Sequence, residues 1–254
     1  REALDVVDDA GGAGVRGRLG RGRLIGRGVV DRHYGASTGG GCRAYADFRE
    51  MLAKENGLDA VYVMTPDHLH ATVALAAMKA GKHVITHKPL GNVLHEARLV
   101  VAAARETGVA THMFCAAGQQ ATAGITEWID AGAIGPVREV HNWSTRPFWP
   151  QGMTERPADT PRVPDGLDWD LWLGPVPHRP YHPAYTHAVF RGWYDFGTGA
   201  LGDMGHYSFF QVFKALKLGS PASVEASRSA VWRIEDNLWR KQPSAVSYPH
   251  ASLV

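Results

Sequence analysis

The sequence predicts an α/β fold built on a doubly wound parallel sheet, and three observations predict it. From Asp59 to Phe114, short apolar runs alternate with helix-like segments in the order strand, helix, strand, helix, strand, the pattern of a parallel sheet with crossover helices. The helical segments stop at Gly81 and Gly108, and glycine is the usual helix stop because it adopts the left-handed conformation without penalty. Two successive strands end in polar residues, Thr65-Pro-Asp-His and His87-Lys-Pro, so polar groups gather on one rim of the sheet.

The elements follow in order. The first 35 residues hold seven arginines and nine glycines; Gly20, Gly22, Gly26 and Gly28 fall where a helix is wanted, and Leu4–Asp9 is a poor candidate for a buried strand. Asp47 to Glu50 has the D-x-x-E form of a helix start, with Phe48, Met51 and Leu52 on one apolar face. Asp59–Pro66 reads as a buried parallel strand. An alanine-rich helix is expected from about His70 to Ala80, a strand over His83–Thr86, a helix over Leu94–Thr107 and a strand over Val109–Phe114. Beyond Cys115 the pattern predicts a helix over Ala121–Ala131, a turn at Gly135-Pro136 and a strand over Val137–Trp143. A long segment rich in Pro, Trp, Tyr and His follows from Ser144 to about Gly199, then a helix over Tyr207–Leu218. Long loops are usually functional, and the aromatic content argues against disorder. Val246–Val254 reads as the start of a strand.

Bulk properties narrow the function. A hydrophobic content of 44% is ordinary for a folded soluble chain. A net charge of +2 gives no reason to expect a nucleic-acid or acidic-membrane partner, and no run is apolar and long enough to span a bilayer. Cys42 and Cys115 are far apart and in no metal spacing, which reads as free thiols in a reducing compartment. Cytoplasmic location is the default expectation. The periplasm stays open, because the chain opens on Arg1 without Met and reads as a fragment.

The strongest site signal is Thr65-Pro-Asp-His-Leu-His70, where a parallel strand meets a helix N-terminus, the place where open α/β sheets bind ligands and helix ends favour phosphates. The alternative is that Thr65, Asp67 and His68 merely cap the helix. Pro89 holds Lys88 in an extended backbone, and a lysine there could carry charge or a proton for a substrate hydroxyl; a solvated surface lysine is the alternative. Gly12-Ala-Gly-Val-Arg-Gly17 fits G-x-G-x-x-G, and Asp31 lies near the ribose-binding spacing. In so glycine-rich a stretch, a chance match competes with a true fingerprint through Gly12, Gly14 and Gly17. Stacking aromatics with Arg and His would suit a sugar pocket, with Trp143, Trp149, Trp172, Arg191, Trp193 and Tyr194 as candidates against plain packing.

Asp59-Ala-Val-Tyr-Val-Met-Thr-Pro-Asp-His-Leu-His70 followed by Ala80-Gly-Lys-His-Val-Ile-Thr-His-Lys-Pro-Leu90 resembles the nucleotide-domain core of the Gfo/Idh/MocA oxidoreductases, the glucose–fructose oxidoreductase and inositol dehydrogenase type. Thr65, Pro66, His70, Lys88 and Pro89 keep that pattern, and His87 stands where the family usually has Glu. The resemblance continues through Glu127–Val140, Leu167–Pro175 and Arg191–Gly205. It implies a Rossmann-like nucleotide-binding domain over residues 1–115, its first βαβ unit degenerate or incomplete. A truncated substrate and oligomerisation domain over 116–254 would follow, with an open, mainly antiparallel sheet incomplete at its C-terminus. The implied cofactor is NAD or NADP, the partner a small-molecule sugar or polyol, and the assembly a homo-oligomer. Cofactor contacts are expected from Thr65, Pro66, His68, His70, His87 and Lys88, besides Gly12, Gly14, Gly17 and Asp31. Lys88 would stand at the centre of the active site. Asp203-Met-Gly-His-Tyr207 matches the family's D-x-G-x-Y element, which makes Tyr207 the proton-transfer residue and Asp203 its catalytic neighbour on the same helical face. His206 is a rival acid or base, and Trp172, Arg191 and His206 are the substrate contacts expected. The implied activity is oxidation or reduction at a secondary alcohol of a sugar, glycoside or cyclitol. An NAD-dependent glycosidase working through transient C3 oxidation is the near alternative. A metal-dependent hydrolase using His68, His70 and His87, or an inactive binding protein, is the distant one; no metal is expected.

Overall fold

The computed structural model describes residues 4–6, 43–114, 119–147, 149–242, 246–249 and 252–253, without the side chains of 4–6, 119–122 and 252–253. Gly12, Gly14, Gly17, Asp31, Cys42 and Cys115 lie outside them. The chain forms two compact units. The first comprises residues 1–114, 157–190 and 195–197, and the second comprises 115–156, 191–194 and 198–254. The long aromatic segment is thus shared between the units, a division more complex than a single cut near residue 115.

The first unit carries a four-stranded parallel sheet in the order β1-β2-β3-β4, formed by Leu4–Val6, Ala60–Val63, His83–His87 and Thr111–Phe114. Leu4–Val6, which looked unsuited to a strand, pairs with β2 in parallel register. Helix α1 (Phe48–Lys54) starts where Asp47 accepts a hydrogen bond from the Arg49 amide. Helix α2 (Asp67–Lys79) begins three residues before the expected His70, directly after Pro66. Helix α3 (Leu94–Thr107) has the predicted bounds, with Gly108 at φ 64° as its stop. Val61, Val63, Ala74, Ala77, Met78 and Val84 form the centre of the core between sheet and helices. Alternate strand residues and one stripe of α2 reach it, as the two periodicities require.

The same unit holds α5 (Trp169–Leu173), capped by Asp168 on the Leu171 amide. Around it Trp169 stacks on Trp172 at 4.8 Å and meets Tyr181 edge-on at 5.3 Å. Phe196 lies against Trp172, Tyr185 and the Arg179 guanidinium, which pairs with Asp195 at 2.5 Å.

The second unit contains α4 (Gln119–Asp130) and α6 (Gly199–Ala215), with two antiparallel ladders. One pairs β5 (Ser227–Arg228) with β8 (Ser252–Leu253), the other β6 (Val231–Glu235) with β7 (Leu238–Gln242). Two expectations fail here. Residues 137–143 form no strand: they are largely exposed along α4 and α6, with no neighbouring strand among the described residues to satisfy their backbone. Helix α6 starts at Gly199, eight residues before the expected Tyr207. Its glycines sit where a side chain would collide, as at Gly202, whose Cβ would lie 2.4 Å from the Thr198 hydroxyl.

Candidate active site

The rim of the first unit follows from strand register. Val63 is level with Thr86, so Thr65 and Lys88, each two residues farther on, leave β2 and β3 at the same height on the carboxyl edge. Lys88 is only 5% exposed, which excludes a solvated surface lysine. The Thr65 hydroxyl oxygen is buried and has no hydrogen-bond partner among the described residues, an unusual state for a buried polar atom. Pro66 opens α2, and Asp67 is buried in its first turn. His87 is half-buried, its Nδ1 3.1 Å from the Lys88 carbonyl and its ring 5.8 Å from that of Phe114. Burial, with a smaller contribution from the Lys88 charge, pulls its imidazole below the ordinary range.

His68 and His70 were expected to touch the cofactor, but their ring nitrogens face backbone carbonyls instead. His68 is buried with Nε2 at 2.7 Å from the Trp172 carbonyl and Nδ1 at 3.3 Å from that of Phe196. Burial pulls its pKa down to about 4, so the ring is neutral and its one N–H belongs on the shorter contact, at Nε2. Trp172, expected to bind substrate, receives the His68 ring at 4.8 Å and packs among aromatics. His70 has Nε2 at 2.6 Å from the Thr65 carbonyl and Nδ1 at 2.5 Å from that of Pro89.

In the second unit Asp203, one turn into α6, is buried. Its carboxylate lies 3.4 Å from Arg191 Nε and 3.7 Å from an Arg146 Nη, and both guanidiniums lie over the Trp149 ring. Gln151 anchors this cluster. Its Oε1 accepts from Trp149 Nε1 at 2.9 Å and from the Ala200 amide in the first turn of α6 at 3.0 Å. Tyr207, four residues after Asp203 on the same helix, lines a groove of roughly 630 Å³ with Ile129, Val137 and Trp143. The His206 ring packs on those of Tyr207 and Phe210.

The structure therefore brings Thr65, His70, His87 and Lys88 to one rim, and Arg191 to Asp203. Arg146, Gln151 and the buried Asp67 were missed as site residues. Nothing local in the sequence marks Gln151, which acts on a helix 49 residues away. Among the described residues, no three His, Cys, Asp or Glu side chains are grouped to hold a metal ion, and no helix is long and apolar enough to cross a membrane.

A parallel sheet with a polar carboxyl rim, followed by a second α/β unit, defines a dinucleotide-binding oxidoreductase architecture. Comparison with known families agrees. Residues 28–114 match the "Oxidoreductase family, NAD-binding Rossmann fold" and residues 127–241 match the "Oxidoreductase family, C-terminal alpha/beta domain" of the same family. The chain belongs to the Gfo/Idh/MocA oxidoreductase family. It is 52% identical over 60 residues to the 1,5-anhydro-D-fructose reductase of Ensifer adhaerens, covering 24% of this chain and 18% of that protein. It is 36% identical over 128 residues to the dTDP-3,4-didehydro-2,6-dideoxy-alpha-D-glucose 3-reductase of Actinomadura kijaniata, covering 49% and 37%. The chain thus spans well under half the length of these relatives. Among solved structures, an NAD binding oxidoreductase from Klebsiella pneumoniae is 24% identical, with a TM-score of 0.43 over 85% of this chain and 49% of that one.

Proposed function

We propose that the protein is an NAD(P)-dependent oxidoreductase acting on a secondary alcohol, or the corresponding ketone, of a sugar, glycoside or cyclitol. The observation that carries this reading is the buried Lys88 on the carboxyl rim of a parallel sheet whose domain family binds NAD. The rim suits a dinucleotide: the helix end after Pro66 favours phosphate, and the buried Thr65 hydroxyl has a hydrogen bond to give or receive. Thr65, Pro66 and His87 would hold the cofactor here, along with Gly12, Gly14, Gly17 and Asp31. A nicotinamide bound there supplies the hydride acceptor or donor. Lys88 orients the substrate oxygen and moves the hydroxyl proton. In the second unit Tyr207 and Asp203 are the other proposed catalytic groups, Asp203 oriented by its ion pairs with Arg146 and Arg191. Trp172 is not retained as a substrate contact, and Arg191 acts through Asp203. The relatives named above as sugar reductases motivate the substrate class.

Titration with NAD(H) and NADP(H), followed by nicotinamide fluorescence, tests the reading together with turnover on a panel of sugars and cyclitols. Saturable binding is expected, with turnover in Lys88→Ala lowered by about 10²–10⁴-fold at nearly unchanged cofactor affinity. Absence of binding by the folded chain would overturn the reading.

A further inference from the structure

We propose that His70 is a positioning residue for Lys88, a two-ended clamp that ties the peptides leaving β2 and β3 to helix α2. The role assigned to Lys88 rests on the reading above; the clamp itself rests on geometry. His70 is the fourth residue of α2 and is 1% exposed. Its two ring nitrogens meet the Thr65 and Pro89 carbonyl oxygens at 2.6 and 2.5 Å. A carbonyl oxygen can only accept, so the ring donates to whichever of the two its N–H faces. In either tautomer the imidazole fills the gap between the two strand exits and sets their separation. His68, two residues earlier, meets other carbonyls, those of Trp172 and Phe196, at 2.7 and 3.3 Å. The other titratable groups of this cluster are Asp67, His68, His87 and Lys88.

The clamp acts where the backbone has few other handles. Pro89 has no N–H, so the peptide joining it to Lys88 can be gripped only through its one carbonyl. His87 Nδ1 reaches that Lys88 carbonyl at 3.1 Å, and His70 takes the carbonyl of the following peptide, that of Pro89. The Thr65 end of the same ring fixes the neighbouring strand exit, so the levels of Thr65 and Lys88 are coupled through one side chain.

One measurement on the full chain tests this without needing turnover: the rate of acylation of the Lys88 amine, followed by mass spectrometry. His70→Asn places an amide N–H near the Nδ1 position and keeps the Pro89 end, whereas His70→Gln reaches the Nε2 position and keeps only the Thr65 end. Lys88 labelling in His70→Asn should stay within about twofold of wild type, while His70→Gln and His70→Ala label about tenfold faster as the strand exit opens locally. Equal labelling in all three, or protection by Gln and not Asn, overturns the proposal. If the oxidoreductase reading fails, cofactor binding is absent while the labelling pattern stands. If the clamp fails, binding persists while the pattern does not.

Discussion

The two units are ordered by different means. In the first, Val63, Ala74, Ala77 and Met78 are essentially sealed from solvent between a parallel sheet and its helices. In the second, Trp128, Trp143, Ile234 and Trp239 are each more than 60% exposed, and the ordered part is a lattice of polar bridges. There Gly152 donates to the Tyr248 carbonyl, Tyr248 to that of Gly192, and Tyr194 to that of Val246. Ser247 and Gln151 add side-chain bonds to the Met153 and Pro249 carbonyls. Lys88 therefore stands on a scaffold held by apolar burial, whereas Asp203 stands on one in which hydrogen bonds work beside a small buried set, Trp149, Trp193 and Ala215. Burial is non-directional and tolerates small displacements; a hydrogen-bond lattice is directional and fails where one chain cannot approach another.

The contrast is sharpest for side-chain truncation. Met78→Ala should destabilise by about 2–5 kcal/mol, the range for emptying a packed core site. Trp239→Ala, which removes a larger but exposed side chain, should stay within about 0.5 kcal/mol. Urea unfolding monitored by far-UV circular dichroism gives both values. Comparable losses would mean that the second unit's apolar surface is buried in solution, and the distinction between the units would fall.

Next in size is a pH effect confined to the first unit. His68 has a folded-state pKa of about 4 against an ordinary 6.5, because burial opposes its charge. Between these values the unfolded chain binds a proton that the folded chain refuses, so stability is full above the upper value and declines as pH falls. The loss reaches roughly 3 kcal/mol once the whole window is crossed. His68→Gln keeps a donor for the Trp172 carbonyl and cannot be charged. Its stability should be lower at pH 7.5 but flatter from pH 7 to 4.5 in thermal melts. An unchanged slope would assign the acid sensitivity to other groups.

The same contrast governs what the sequence revealed. In the first unit the signals are local: Asp47 caps the helix it precedes, Gly108 ends the helix it follows, and apolar alternation marks β2 and β3. Lys88 was legible through its proline and its place at a strand end. Its burial was not, because burial depends on what packs around it. Helix α6 was misjudged because its glycines count against a helix in isolation, while Gly199 has a positive φ and lies against Tyr248, and Gly202 and Gly205 face Thr198, Leu201 and Phe209 closely. Its N-cap residue Thr198 makes no side-chain capping bond, and Gln151 caps it from a distant segment. The histidine pair divided in the same way. Sequence placed both His68 and His70 at the rim, but which carbonyls they meet depends on Trp172, Phe196 and Pro89, two of them more than 100 residues away.

The smallest effect tests the lattice itself. At Gly192 a Cβ would lie 2.1 Å from the Pro150 carbonyl oxygen and 3.3 Å from its carbon. The obstacle is backbone, so it cannot swing aside as a side-chain tip would. Gly192→Ala must push the 150–152 segment away, straining the bond from Tyr248 to the Gly192 carbonyl and the neighbouring one from Gly152 to Tyr248. Overpacking of this kind costs about 1–3 kcal/mol. Arg191 is the preceding residue and Trp149 precedes Pro150, so the displacement falls on the groups around Asp203. Hydrogen exchange should therefore quicken at Gly152, Tyr194 and Tyr248, while the amides of β2 and β3 keep their protection. Faster exchange in the first unit's sheet, with Gly152, Tyr194 and Tyr248 unaffected, would place the second unit's order elsewhere than in this close approach.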